Sequence, residues 1–284
     1  VELHSVKQFI QPFGQKVMIR MTKLGFLQIA LIALVVACSP AVEEEAQAQS
    51  VAVTTVAHQA AVAQVPGGTV TGKVVFEGKA PRMGPLPVEA DPHCVKLRAG
   101  NPLLNEMLVL GEGQTMANVL VRVVSNLPKK EHAVPKEPII LSQQGCQYSP
   151  HVFAMRRGQS IKFQNPDGIN HNVHLLPEKN KEMNRAMANK DVTFLYKAEH
   201  AEDVFTIKCD VHSWMRAYCA VLDHPYFAVT GTDGTFSIEG LPAGTYEIEA
   251  WHERLKTRRG EVTIGDDGGA TIDFTYSKPK PKSK

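Results

Sequence analysis

From residue 67 to residue 276 the chain is a succession of short runs in which apolar and polar residues alternate: 70–76, 119–124, 161–163, 173–176, 205–207, 236–238, 246–251, 262–264 and 272–274. A period of two puts successive side chains on opposite faces of a strand, and turn-forming residues separate the runs. The pattern predicts an all-β protein, and roughly 210 residues of it divide into two β-sandwiches. The one helix-like stretch, 178–188, is mostly polar; a loop or a short helix over a sandwich edge is expected there.

Upstream the pattern changes. Behind Lys23, residues 24–37 form an apolar run that falls short of the ~20 residues a bilayer span needs and matches the core of a signal peptide. The run ends in Val35-Val36-Ala37-Cys38, which resembles the bacterial lipoprotein box. That resemblance implies that Cys38 is lipidated, becomes the mature N-terminus and joins the protein to a membrane; a plain secretory signal with an incidental cysteine is the other reading. Met18 or Met21 is the expected start, and residues 1–37 are set aside as an upstream extension and signal peptide. Residues 38–66 have little aromatic content and no clear period, as in a flexible tether, and 277–284 read as a basic disordered tail. Either signal exports the protein to the periplasm or cell envelope, lipid-anchored in the first case and in the outer membrane if the cell is Gram-negative. Thiols there are expected to be paired, lipidated or metal-bound.

With 43% hydrophobic and 21% charged residues the chain has the composition of a folded protein. Its formal charge is +2, and residues 1–37 hold four cations against one anion, so the remainder carries about −1. Without a basic face, nucleic acid is not expected as a partner. Five cysteines are too few for a disulfide-dense scaffold, while eleven histidines and nine methionines leave metal chemistry open.

In the C-terminal block, Asp233-Gly-Thr-Phe236 and Leu241-Pro-Ala-Gly-Thr-Tyr246 resemble the carboxypeptidase regulatory-like (transthyretin-like) domain. That family opens with a Gly-x-Val-x-Gly-x-Val strand and an Ala-x-Val-x-Val strand, and the similar elements here, Gly68-Thr-Val-Thr-Gly-Lys-Val74 and Ala117-Asn-Val-Leu-Val121, lie about a hundred residues upstream. The resemblance therefore implies a split sandwich, 67–128 plus 225–276, with a second domain, 136–223, inserted into it. Two sandwiches in series remain the alternative arrangement.

The inserted block carries Cys209-Asp-Val-His212-Ser-Trp-Met215 and, upstream, His171-Asn-Val-His174. A thiolate, an imidazole and a thioether at i, i+3 and i+6 can fold around one ion, and this soft mixed set suits copper once a second histidine joins it. Strand parity puts Phe205, Ile207 and Cys209 on one face of their strand, and His171, Val173 and Leu175 on one face of theirs with His174 on the other; parity alone does not choose between the two histidines. Gly158-Gln-Ser-Ile-Lys-Phe-Gln-Asn165, the His-Asn-Val run and the Cys-x-x-His-x-x-Met loop together resemble a cupredoxin of the plastocyanin and amicyanin type over residues 138–223. The resemblance implies one mononuclear type 1 copper held by His171, Cys209, His212 and Met215, with Asn172 bracing the cysteine loop and His174 left as a polar outward residue. It also implies that His212 shows its outer ring edge at the surface, beside Trp214. A binuclear centre would need a second cysteine on the loop. Cys219 lies on the next strand instead and is expected to be a buried free thiol.

Cys94 and Cys146 are expected to form a disulfide; the alternative, a second metal site at His93 and Cys94, lacks further ligands nearby. His224, Trp251 and His252 are read as structural, with the two histidines able to meet at the domain interface. The leading functional expectation is a membrane-tethered electron carrier, not an enzyme, serving redox proteins such as cytochromes or dehydrogenases. A copper oxidase or nitrite reductase would need a further histidine-rich site with His-x-His pairs, and none occurs. A carbohydrate- or protein-binding adhesion module with structural copper, and a copper storage or delivery protein, are the competing readings.

Overall fold

The computed structural model describes residues 67–266 and 268–278. The signal segment, Cys38, the tether and the lysine-rich end of the tail lie outside the described residues. The fold is all-β: the described residues form sixteen strands, with one α-helix of seven residues.

One sandwich is assembled from both ends of this region. The Gly68–Glu77 strand pairs antiparallel with Thr235–Leu241 (Val70 opposite Ile238) and parallel with Gly269–Thr271 and Phe274–Ser277. The facing sheet runs in the order Phe227–Val229, Leu120–Val123, Gly244–His252, Lys256–Ile264. Val70, Val74, Phe76, Val121, Ile248 and Phe274 fill the space between the two sheets. Both early strands are thus completed by strands that follow residue 225.

The chain between them builds the other sandwich. Its five-stranded sheet runs Val152–Arg156, Arg216–Leu222, Glu202–Lys208, His171–Leu176, Met183–Met187, and faces a sheet of Ile139–Ser142, Ser160–Asn165 and Val192–Lys197. Alternation decides what each face does. Phe153, Met155, Cys219 and Val221 point into this sandwich's own core, whereas Val152, Ala154, Ala220 and Leu222 pack with Leu120 against the neighbouring sandwich. Val152–Arg156 is buried on both faces and apolar over residues 152–155, which explains its weak sequence alternation.

Two local expectations are corrected. The 178–188 stretch is neither loop nor helix over Met183–Met187: that segment is an edge strand pairing antiparallel with His171–Leu176, Met187 opposite His171. Only its ends turn inward, so its polar middle is the solvent side of an edge strand. The α-helix occurs instead at Pro92–Arg98. Asp91 caps it by accepting a 2.7 Å hydrogen bond from the His93 N–H, and Pro92 occupies the first turn, where its missing N–H costs nothing.

His224 and His252 each engage a tyrosine, with ring centroids 5.9 Å from Tyr226 and from Tyr276. Their Nδ1 atoms accept backbone N–H bonds, from Tyr226 in one case and from Arg254 and Leu255 in the other, so the neutral ring is the one that fits. Burial, with Arg156 and Arg122 nearby, pushes His224 down to about 4, and burial does the same for His252. Unfolded imidazoles take up protons near pH ~6.5. Between that value and about 4 the unfolded chain therefore holds more protons, and stability falls as the pH drops, by roughly 1.4 kcal/mol per pH unit for each ring. His151, His171 and His212 are shifted the opposite way, so the contribution is isolated by difference. His252→Gln should unfold in denaturant with a shallower loss of stability from pH 6.5 to 4 than the parent, and identical slopes would refute the assignment.

Candidate metal centre

Three elements deliver the donors. His171 opens the His171–Leu176 strand directly after the Pro166-Asp-Gly168 turn, whose glycine takes φ 74°. Cys209 follows the Glu202–Lys208 strand, and the loop to Arg216 closes on itself through Cys209 N–H to Met215 O (3.1 Å) and Met215 N–H to His212 O (2.9 Å). Tyr148 ties the two strands together, its hydroxyl donating to the carbonyls of Asn172 (2.6 Å) and Lys208 (3.2 Å).

The side chains converge. His171 Nδ1 lies 3.0 Å from His212 Nδ1, Cys209 Sγ lies 3.9 Å from His212 Nδ1, and the three donor atoms are all within 4.8 Å of one another. Met215, 1% exposed, is buried in the same hydrophobic core as Cys209. His174 lies on the other face of its strand and binds Asp210 and Glu182.

Outside this cage each imidazole has a carboxylate: His171 Nε2 is 2.9 Å from Asp167 Oδ2, and His212 Nε2 is 3.0 Å from Asp91 Oδ2. A carboxylate accepts a proton bond at Nε2, and in the neutral ring this leaves Nδ1 as a lone pair. Two such lone pairs then face each other across 3.0 Å beside a sulfur. Burial pushes the Cys209 thiol up, but hydrogen bonds with His171 and His212 outweigh it and bring it down to about 6. Two imidazoles converging on a low-pKa thiol offer ligand atoms to a cation, and imidazole with thiolate and thioether is the donor set copper favours. His171, Cys209, His212 and Met215 would hold it.

Asn172 organises the loop behind the sulfur. Its Oδ1 accepts the N–H groups of Asp210 (2.6 Å) and Val211 (3.3 Å) and lies 3.3 Å from Cys209 Sγ. Trp214 lies beside His212, with centroids 5.1 Å apart, and its Nε1–H donates to Cys146 O. The outer edge of His212 differs from what the cupredoxin resemblance implies: the residue is 1% exposed, because Asp91 and the helix it caps lie over that edge.

Cys94 and Cys146 are joined in a disulfide. It connects the two carboxylate clamps. Cys94 is in the helix capped by Asp91, while the N–H groups of Gly145 and Cys146 donate to Asp167 at 2.6 and 2.8 Å. Sequence reasoning missed Asp91 and Asp167; the available signals were a helix-capping Asp-Pro pair and a Pro-Asp-Gly turn just ahead of His171. Cys219 is a free, fully buried thiol.

No protein-family model and no curated protein matches the sequence. Among solved structures, the chain is similar to the copper-containing nitrite reductase from Thermus scotoductus SA-01, at 13% identity over 36% of this chain and TM-score 0.30. It is also similar to the purple cupredoxin from Nitrosopumilus maritimus, at 19% identity over 30% of this chain and 99% of that one, TM-score 0.26. A reduced Cu(I) form of an amicyanin mutant matches at 18% identity over 36% of this chain and 98% of that one, TM-score 0.28. The match spans 25% of the nitrite reductase's own length.

Proposed function

We propose that this chain is an exported, membrane-tethered carrier of single electrons, built on one mononuclear type 1 copper site and serving redox proteins such as cytochromes or dehydrogenases. The observation that carries this reading is the pair of inward Nδ1 atoms 3.0 Å apart beside Cys209, with both outer nitrogens held by carboxylates. Copper in such a set supplies a one-electron couple. The protein keeps the ligands in place between the two oxidation states: Asp91 and Asp167 hold the ring orientations, Asn172 holds the Cys209 loop and the surrounding core excludes water. Fixed ligands mean little rearrangement per electron, which is what a carrier requires. The covered His212 edge favours a second reading, copper storage or delivery, since it removes the ring edge by which electrons would leave.

The visible spectrum of the copper-loaded, oxidised protein tests the centre. An intense thiolate-to-copper absorption is expected, abolished in Cys209→Ser and retained in His174→Ala; a colourless copper-loaded protein would sink the proposal. Electron exchange with small inorganic complexes separates the two readings. Fast exchange supports the carrier, and exchange too slow to follow supports storage or delivery.

A further inference from the structure

The cage is sealed on the sides already described: its four residues are at most 2% exposed, and Asp167 and Asp91 close the outer edges of the two imidazoles. A buried metal site still needs a way in. On the remaining side a cavity of about 310 Å³ reaches Met215 and Trp214, and Met107, Glu106 and His151 also form its walls. Met107 and Arg254 are walls of a second cavity too, of about 260 Å³, which Met83 lines. Met83 and Met107 are both half-buried, and neither packs into a hydrophobic core. Met83, Met107 and Met215 thus line two adjoining cavities, one of which reaches the donor loop.

Thioethers are neutral, soft and conformationally adaptable, and they bind Cu(I) in preference to the hard cations that carboxylates and water take. We infer that Met83 and Met107 form a loading path for Cu(I), passing the ion by exchange of one thioether for the next until Met215 presents it to Cys209 and the two histidines. Each transfer forms one copper–sulfur bond as another breaks, and copper keeps its charge, so no oxidant or reductant enters. The inference rests on the copper reading of the centre.

The experiment mixes metal-free protein with Cu(I) supplied as its acetonitrile complex, without oxygen, and follows the thiolate–Cu(I) absorption in stopped flow. Met107→Leu should slow loading roughly tenfold, the effect of ~1.4 kcal/mol on a barrier, while the final stoichiometry stays at that of the parent. Met83→Leu should also slow it, and Met183→Leu, outside both cavities, should not. Leucine conserves volume, so folding is preserved. In a Cys209→Ser protein, where the end of the path is blocked, Ag(I) should shift the methyl resonances of Met83 and Met107. Loading of Met107→Leu at the parental rate, or unshifted methyls, would overturn the path with the copper centre intact; a parent that takes up no Cu(I) overturns the copper reading as well.

Discussion

Replacing Cys94 and Cys146 together by alanine is expected to lower the stability of the metal-free protein by about 4 kcal/mol and to weaken copper binding by roughly 10–100-fold. The first figure follows from the sequence separation of 52: cutting the cross-link frees a loop of that length in the unfolded chain. The second follows from position. The disulfide joins the helix that carries the Asp91 clamp on His212 to the turn whose N–H groups hold the Asp167 clamp on His171. Without it the two carboxylates are held only by their local turns, and the rings lose part of their fixed orientation. Denaturant unfolding reads the first effect and competition with a chelator the second. Asp91→Asn and Asp167→Asn should each reproduce the loss of affinity with a much smaller loss of stability. A double alanine variant that binds copper as tightly as the parent would show that the clamps stand without the disulfide.

What the sequence made legible was whatever is local or periodic. Alternation reported the all-β class because most strands here have one wet and one dry face, and it was weakest at Val152–Arg156, where both faces are dry. The edge strand Met183–Met187 was misread because its exposed middle, Asn184, Arg185 and Ala186, hides a period of two that only its ends express. At the centre, Cys209 and His212 were legible because their types and spacing already state a donor chemistry, and His171 through the family resemblance of its His-Asn-Val run; the structure brings the three together. Asp91 was not. It lies 121 residues from His212, and an aspartate ahead of a proline reads as a helix cap, which it also is. One carboxylate serves both purposes, its Oδ1 accepting from the helix N–H of His93 and its Oδ2 facing His212; no pattern in the chain distinguishes that from an ordinary cap. The closure of the His212 edge was hidden for the same reason, since it is made by a segment outside the 136–223 block.

A second large effect is expected where the two sandwiches meet. Arg122, Glu249 and Arg259 lie across one rung of the sheet, Glu249 opposite Arg122 on one side and Arg259 on the other. Glu249 accepts from Arg122 Nε (3.0 Å) and Nη2 (2.6 Å) through Oε1, and from Arg259 Nε (2.9 Å) and Nη2 (2.7 Å) through Oε2. Its side chain is 4% exposed and that of Arg122 10%. Arg122 also reaches Asp203 on the Glu202–Lys208 strand of the neighbouring sandwich, at 2.6 Å. Glu249→Ala should cost about 3–5 kcal/mol, because it leaves the Arg122 guanidinium buried beside an alanine, with only the 77% exposed carboxylate of Asp203 as a partner. Asp203→Ala should cost less than ~1 kcal/mol, since water already screens that pair. The combination Glu249→Leu with Arg122→Met should recover most of the loss, because replacing both charges removes the burial cost together with the attraction. Thermal and denaturant unfolding of these variants decide the point: a Glu249→Ala protein within ~1 kcal/mol of the parent would mean that water reaches Arg122 and that apolar contact around Leu120, Ala154 and Leu222 holds the junction by itself.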